Sequence, residues 1–245
     1  GAFSPPMTVA ARKALPAYLG LSEEEAEEMI TFVPASSYVE NCRSVVEGKA
    51  DVAYCATVSS VLAEMEGAPG GIRWLDMDQS NTEAWDAYLA HRPMTVPVTI
   101  NMGVSTAKGV GGLTSNFLYA VPADADDEFA YDMAKWFHKA YDDYKGSHPL
   151  SSRMSMEVFR DYLDTSPLPV HEGTVRYLKE IGEWTEEDDA WNQAAIEKMD
   201  AWIEARAAAM AEARDKRIAP DQNNEEYMAI FRKHTEGLEG FRTRL

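Results

Sequence analysis

Short apolar runs alternating with helix-patterned segments dominate the first hundred residues and do most to restrict the fold. MITFVPA, DVAYCAT, IRWLDM and PMTVPVTIN read as strands or extended pieces, and between them apolar residues recur every three or four positions. Strands linked through helices favour a largely parallel, doubly wound sheet, because parallel neighbours need a crossover long enough to hold a helix. Residues 5–20 carry Met7, Ala11, Ala14, Leu15 and Tyr18 on one stripe, entered through Pro5 with Ser4 as cap. Gly1 to Ser4 read as the end of a buried strand feeding that helix. Ser22 caps the next helix ahead of an acidic first turn, and Tyr38, Cys42, Val45 and Val46 mark a third that stops at Gly48. Helices over 58–66 and around TEAWDAYLAHR complete this half.

Beyond residue 100 the pattern turns helical. A glycine-rich loop, GVGGLTSN, reads as a hinge or crossing and leads through the strand-like FLYAVP into a helix with Phe129, Met133, Trp136, Phe137 and Tyr141 on its apolar side. A helix near 154–163 follows, then PLPVHEGTVRYLKEIG, a proline-bounded loop running into another helix. From about 184 onward Trp191, Ala195, Met199, Trp202, Arg206 and Ala209 form a long stripe, with one further helix and a tail behind it. That stripe either packs on its own body or forms an interface with a second copy or another protein.

The 245 residues carry 23 Lys plus Arg against 41 Asp plus Glu, a formal charge of −18. Such a field repels nucleic acid and anionic lipid surfaces, so neither is expected as a partner. No apolar run approaches the roughly 20 residues that span a bilayer. The histidines at 91, 138, 148, 171 and 234 show no metal-site spacing, and no HExxH, GxSxG elbow, P-loop or Rossmann fingerprint occurs. No catalytic residue, metal or cofactor is therefore assigned, and the chain is read as a non-enzyme. The two cysteines, Cys42 and Cys55, are either small buried hydrophobes, the simpler reading, or a disulfide formed in an oxidising compartment.

Two turns lie where open α/β sheets bind ligands, outside the carboxyl ends of strands. FSPPMT brings Ser4, Met7 and Thr8 to a helix start, where backbone N–H groups and the helix dipole attract carboxylates. YCATVSS brings Thr57, Ser59 and Ser60 to a second strand-to-helix turn whose hydroxyls face a polar ligand. Ordinary helix capping explains both turns equally well.

Taken in order, GAFSPPMTVAARKAL, VVEGKADVAYCATVSS, MTVPVTIN, FLYAVPADADDEFAYDMAKWF and PLPVHEGTVRYLKEIG resemble the second portion of the TAXI family. These are the extracytoplasmic solute-binding receptors of tripartite ATP-independent periplasmic (TRAP) transporters. The resemblance covers roughly residues 1–182, and its most specific element runs from Pro167-Leu168 through His171, Gly173, Arg176, Tyr177 and Gly182. It implies an incomplete two-lobe α/β fold of the type II periplasmic-binding-protein kind. Residues 1–98 would be lobe two, 99–183 the crossing and remainder of lobe one, and 184–245 a helical C-terminal extension beyond the family pattern.

The implied function is periplasmic capture of a small organic acid or amino acid by lobe closure, and its delivery to a membrane permease. Part of lobe one and the export leader would precede Gly1. Ligand contacts would come from Ser4, Met7, Thr8, Thr57 and Ser59. Pro5 and Pro6 depart from the family's turn by removing two N–H donors, which favours a less anionic or bulkier ligand. The alternative is an interaction or signalling module on the same fold. In that reading the C-terminal helices engage a partner, including a second copy in a homodimer.

Overall fold

The computed structural model describes residues 4–115, 118–163, 166–222 and 224–241. Helix α1 runs in three pieces, Pro5–Val9, the π-wound Ala10–Ala14 and Leu15–Tyr18. There follow α2 (Glu23–Met29), α3 (Tyr38–Val46), α4 (Val61–Glu66), α5 (Thr82–His91), β1 (Val96–Thr99) and β2 (Gly111–Thr114). The remainder comprises α6 (Asp127–Lys139), α7 (Met156–Leu163), α8 (Glu172–Glu180), α9 (Glu186–Asp215) and α10 (Glu225–His234), with shorter turns between them. Two compact units result: residues up to 118 with 140–165, and residues 119–139 with 166–244. The strand end expected at Gly1 to Phe3 lies outside the described residues.

In the first unit, π-winding ahead of Pro16 accommodates a ring that has no N–H and crowds the preceding turn. Buried Ala14 lets α1 lie close against α5, where Trp85 and Tyr88 fill the gap. Ser22 forms a reciprocal capping box with Glu25 at the start of α2, as its spacing predicts. A second cluster gathers Cys42, Val61, Leu62 and Met65, with Cys55, Ile72 and Trp74 packed on it.

The expected parallel sheet is not what the described residues show. They are mostly helical, and β1 and β2 form an antiparallel pair in which Val96 faces Thr114 and Thr99 faces Gly111. DVAYCAT and IRWLDM do keep the alternation of half-buried strands: Cys55, Ile72 and Trp74 turn inward, whereas Val52, Tyr54 and Leu75 are exposed. Two backbone groups that a ladder would use are taken by side chains instead. Asn41 Nδ2 donates to the Tyr54 carbonyl at 2.8 Å, and the Ala56 N–H donates to the Tyr38 hydroxyl at 2.7 Å. The glycine loop read as a hinge supplies strand β2, because Gly111 lies where a Cβ would stand 2.4 Å from the Met77 carbonyl oxygen. In FLYAVP, Phe117 lies outside the described residues and 118–122 form no strand.

Cys42 and Cys55 are joined in a disulfide, with their Cα atoms 5.8 Å apart. This corrects the simpler reading of two buried thiols. The bond pins α3 to DVAYCAT, and the spacing in sequence could not show that the two side chains converge.

The second unit is helical. Ala209 and Ala213 on α9 pack against Tyr227 and Ile230 on α10. The Trp202 indole donates to the Glu239 carbonyl at 2.9 Å, and its ring lies against Phe231 and Phe241. Much of the long stripe is therefore spent inside its own unit.

Candidate functional site

The Ser4 turn has an extended cap residue (φ −145°, ψ 104°) whose hydroxyl makes no capping bond. Ser4 instead accepts through its carbonyl, from the Thr8 N–H at 3.1 Å and the Thr8 hydroxyl at 3.2 Å. Pro5 and Pro6 have no N–H and that of Thr8 is used, so Met7 holds the one backbone N–H left free in the first turn. An anion caught here by backbone N–H groups alone would be poorly held.

The second turn is built more tightly. Thr57 donates its hydroxyl to the Met102 carbonyl at 3.0 Å and accepts the Val104 N–H on its own carbonyl at 2.9 Å. Gly103, at φ +92°, makes this approach feasible, since a Cβ there would stand 2.2 Å from the Thr57 carbonyl oxygen. Ser59 is bonded to the Tyr38 hydroxyl at 2.7 Å. With Thr8 and Thr57 both donating inward, their free lone pairs can only accept. Ser60, at the N-cap of α4, makes no side-chain capping bond.

Arg92 reaches the first of these turns. It follows the last residue of α5 and donates from Nη1 to the Pro6 carbonyl at 3.0 Å, which ties it to the Ser4 turn. Its charge also acts on two phenols, Tyr88 one helical turn earlier and Tyr54 on DVAYCAT. Tyr54 in turn feels Tyr38, the partner of Ser59. Burial pushes the Tyr88 phenol up to about 12, with Arg92 pulling the other way and Tyr54 adding to the rise. Tyr54 is raised for the same first reason although 36% of it is exposed. Tyr88 is 2% exposed, and among the described residues its hydroxyl has no hydrogen-bond partner.

Sequence reasoning missed these three residues. The spacing from Tyr88 to Arg92 puts them on one helix face, but nothing in the sequence says that this face meets the Ser4 turn.

The most specific stretch of the resemblance proves to be a packing device. His171 caps α8 by accepting the Gly173 N–H at 3.2 Å. Gly173 lets α8 touch α6, because a Cβ there would meet the Asp127 carbonyl oxygen at 2.1 Å. Arg176 pairs with Glu128 at 2.8 Å and covers the Tyr131 ring, and the Tyr177 hydroxyl bonds His138 Nδ1 at 2.6 Å. Gly182, at φ +75°, ends the helix with the paired bonds of a left-handed cap: its N–H to the Lys179 carbonyl and that of Glu183 to the Leu178 carbonyl.

The model of the NMT1-like family matches residues 37–182, more than half of the chain. The chain belongs to the NMT1-like family. No curated protein and no solved structure matches it. The NMT1-like family is periplasmic-binding-protein-like and consists of binding proteins, not enzymes. Membership suggests a fold of that kind, a small-molecule ligand and an extracytoplasmic solute-binding role. Among the described residues no helix is long and apolar enough to cross a membrane. The NMT1-like match includes Thr57, Ser59, Tyr54, Tyr88 and Arg92 and closes at Gly182, while Ser4, Met7, Thr8, α9 and α10 lie outside it.

Proposed function

We propose that this chain is the periplasmic solute-binding component of a TRAP transporter, of the TAXI type. It captures a small organic acid or amino acid by closure of two lobes and delivers it to a membrane permease. The observation that carries the reading is the NMT1-like match over 37–182. The ordered TAXI-like segments narrow it, and the Cys42–Cys55 disulfide suits an oxidising, extracytoplasmic compartment.

Within this reading residues 1–98 belong to lobe two and 99–183 to the crossing and the rest of lobe one, with 184–245 as an added helical extension. The cleft contacts are Ser4, Met7 and Thr8 at one turn and Thr57 and Ser59 at the other. A homodimer through the C-terminal helices would use what α9 still exposes, notably Ile203.

The test is a thermal-shift screen of the exported protein against amino acids, dicarboxylates, keto acids and neutral analogues. A ligand that binds only the native state raises the melting temperature with its concentration. A rise confined to one chemical class supports the reading, and no rise across the panel overturns it. Replacing Thr8 and Thr57 together by Val is expected to weaken binding of the responding class; an unchanged dissociation constant would remove both residues from the site.

A further inference from the structure

Helix α6 carries more apolar surface than its own unit covers. One side packs on α8: Ala130 is buried, Asp127 and Tyr131 lie against Gly173, and His138 bonds Tyr177. With about 100° of turn per residue, Phe129, Met133 and Trp136 fall on the opposite side. Phe129 is 52% and Trp136 54% exposed, although Trp136 also has the Phe137 ring 5.2 Å away. These residues line an open hollow of about 530 Å³ whose other walls are Asp132, Lys135 and Lys139. Tyr119 lies against Phe137 at 4.8 Å and is itself exposed, which extends the patch.

The charges beside this hollow have a definite order. Asp132, Lys135 and Lys139 share one flank of the apolar stripe, with the acid nearer the start of α6 and the bases nearer its end. Among the described residues neither Asp132 nor Lys139 forms an ion pair, and Lys135 rests over the Tyr131 ring of its own helix at 5.3 Å. Two copies of such a helix, laid antiparallel about a two-fold axis, bring the same flank together in opposite directions. The apolar stripes then face each other, and Asp132 of each copy meets the basic end of the other. A parallel pairing would set Asp132 against the opposite flank, which carries Phe137 instead.

We propose that α6 is the interface of a homodimer. Its Phe129, Met133 and Trp136 face docks antiparallel on the same face of a second copy, and Asp132 pairs with Lys139 across the two-fold axis. The inference is independent of the solute-binding reading, and it sets self-association on α6 instead of on the C-terminal helices. The 13 residues of α6 span about 20 Å, so the interface is small and the dimer weak and reversible. A charge of −18 on each copy opposes association in general. Local pairing of opposite charges is what lets this face close where others repel.

The experiment is sedimentation velocity of the full chain at rising concentration, with a melting curve for each variant. A monomer–dimer equilibrium is expected. Phe129→Ser with Trp136→Ser should raise its dissociation constant on the order of 30-fold, whereas Ile203→Ser, at an exposed position of α9, should leave it unchanged. Asp132→Lys alone and Lys139→Asp alone should each weaken self-association, because each sets like charges against one another across the axis. An equimolar mixture of these two variants should regain a dimer, since both contacts of a mixed pair are again oppositely charged. Such a recovery cannot come from a folding defect in either variant, so it decides the matter if the double serine variant melts early.

A wild-type chain that stays monomeric overturns the proposal. So does a dimer that Ile203→Ser weakens and the double serine variant does not. Charge variants that each dissociate but fail to associate when mixed overturn the antiparallel pairing.

Discussion

Tyr177 in the helical unit and Tyr88 in the first unit are almost equally buried, at 1% and 2% exposure, but their hydroxyls have opposite fates. That of Tyr177 is bonded to His138. Around it the other buried polar groups are also paired: Asn192 holds both the N–H and the carbonyl of Val170, at 2.7 and 3.0 Å, and Asp188 closes a capping box with Thr185. Among the described residues the Tyr88 hydroxyl has no partner, and Arg92, whose charge acts on it, forms no ion pair. A paired buried network stabilises its unit, whereas unpaired donors cost stability and suggest that an external group completes them. The contrast separates a region whose buried polar groups are paired from one that leaves a buried hydroxyl unpaired.

The strongest way to break this comparison is to attack what fixes each unit. Cys42→Ser with Cys55→Ser removes a bond closing a loop of 13 residues, and about 3 kcal/mol of stability should go with it. Denaturant titration of the variant, or of the reduced wild type, reads the loss; an unchanged midpoint would mean that α3 is held by packing alone.

Gly173→Ala places a methyl against backbone atoms of α6 that cannot rotate away. A cost near 3 kcal/mol is expected by analogy with overpacking, against no change for Gly146→Ala, where the space is open. Equal melting temperatures for the two would refute the close contact between α6 and α8.

Tyr177→Phe and Tyr88→Phe then sharpen the contrast directly. The first strands a partly buried His138 and should cost about 1 kcal/mol. The second deletes a hydroxyl with no partner among the described residues and should leave stability unchanged or slightly raised. A destabilised Tyr88→Phe would mean that its hydroxyl is satisfied after all.

The smallest expected effect is a pH dependence in the helical unit. Glu212 accepts hydrogen bonds from Lys216, Lys233 and His234, which lower its pKa to about 2 from an ordinary 4.5. Its contribution is fully present above about pH 4.5 and is lost as the pH falls toward 2, because the unfolded chain binds the proton first. Acid titration followed by the signal of Trp202, which packs beside α10, should show this loss, and Glu212→Gln should flatten it.

Many of the helices were legible in the sequence because their signals are local. Ser22 and Glu25, the stop at Gly48, and the alternating burial of DVAYCAT and IRWLDM all follow from spacing along the chain. The sheet was not legible, because pairing depends on what lies beside a strand, and Asn41 and Tyr38 occupy backbone groups that a neighbouring strand would need. The two turns were found by their hydroxyls and prolines, but Arg92 was not. It stands 86 residues from the carbonyl it holds.

By itself the sequence determined the helical periods, the caps, the acidic balance and the ordered motifs that mark a binding-protein family. Those properties depend on residues within a few positions of one another or on sums over the chain. Tertiary structure alone decided that Cys42 meets Cys55, that Gly173 serves packing, and that the Tyr88 hydroxyl is buried while Arg92 holds the Pro6 carbonyl. Each of these depends on which distant surfaces are brought together, and burial makes an unpaired charge or hydroxyl matter only after that has happened.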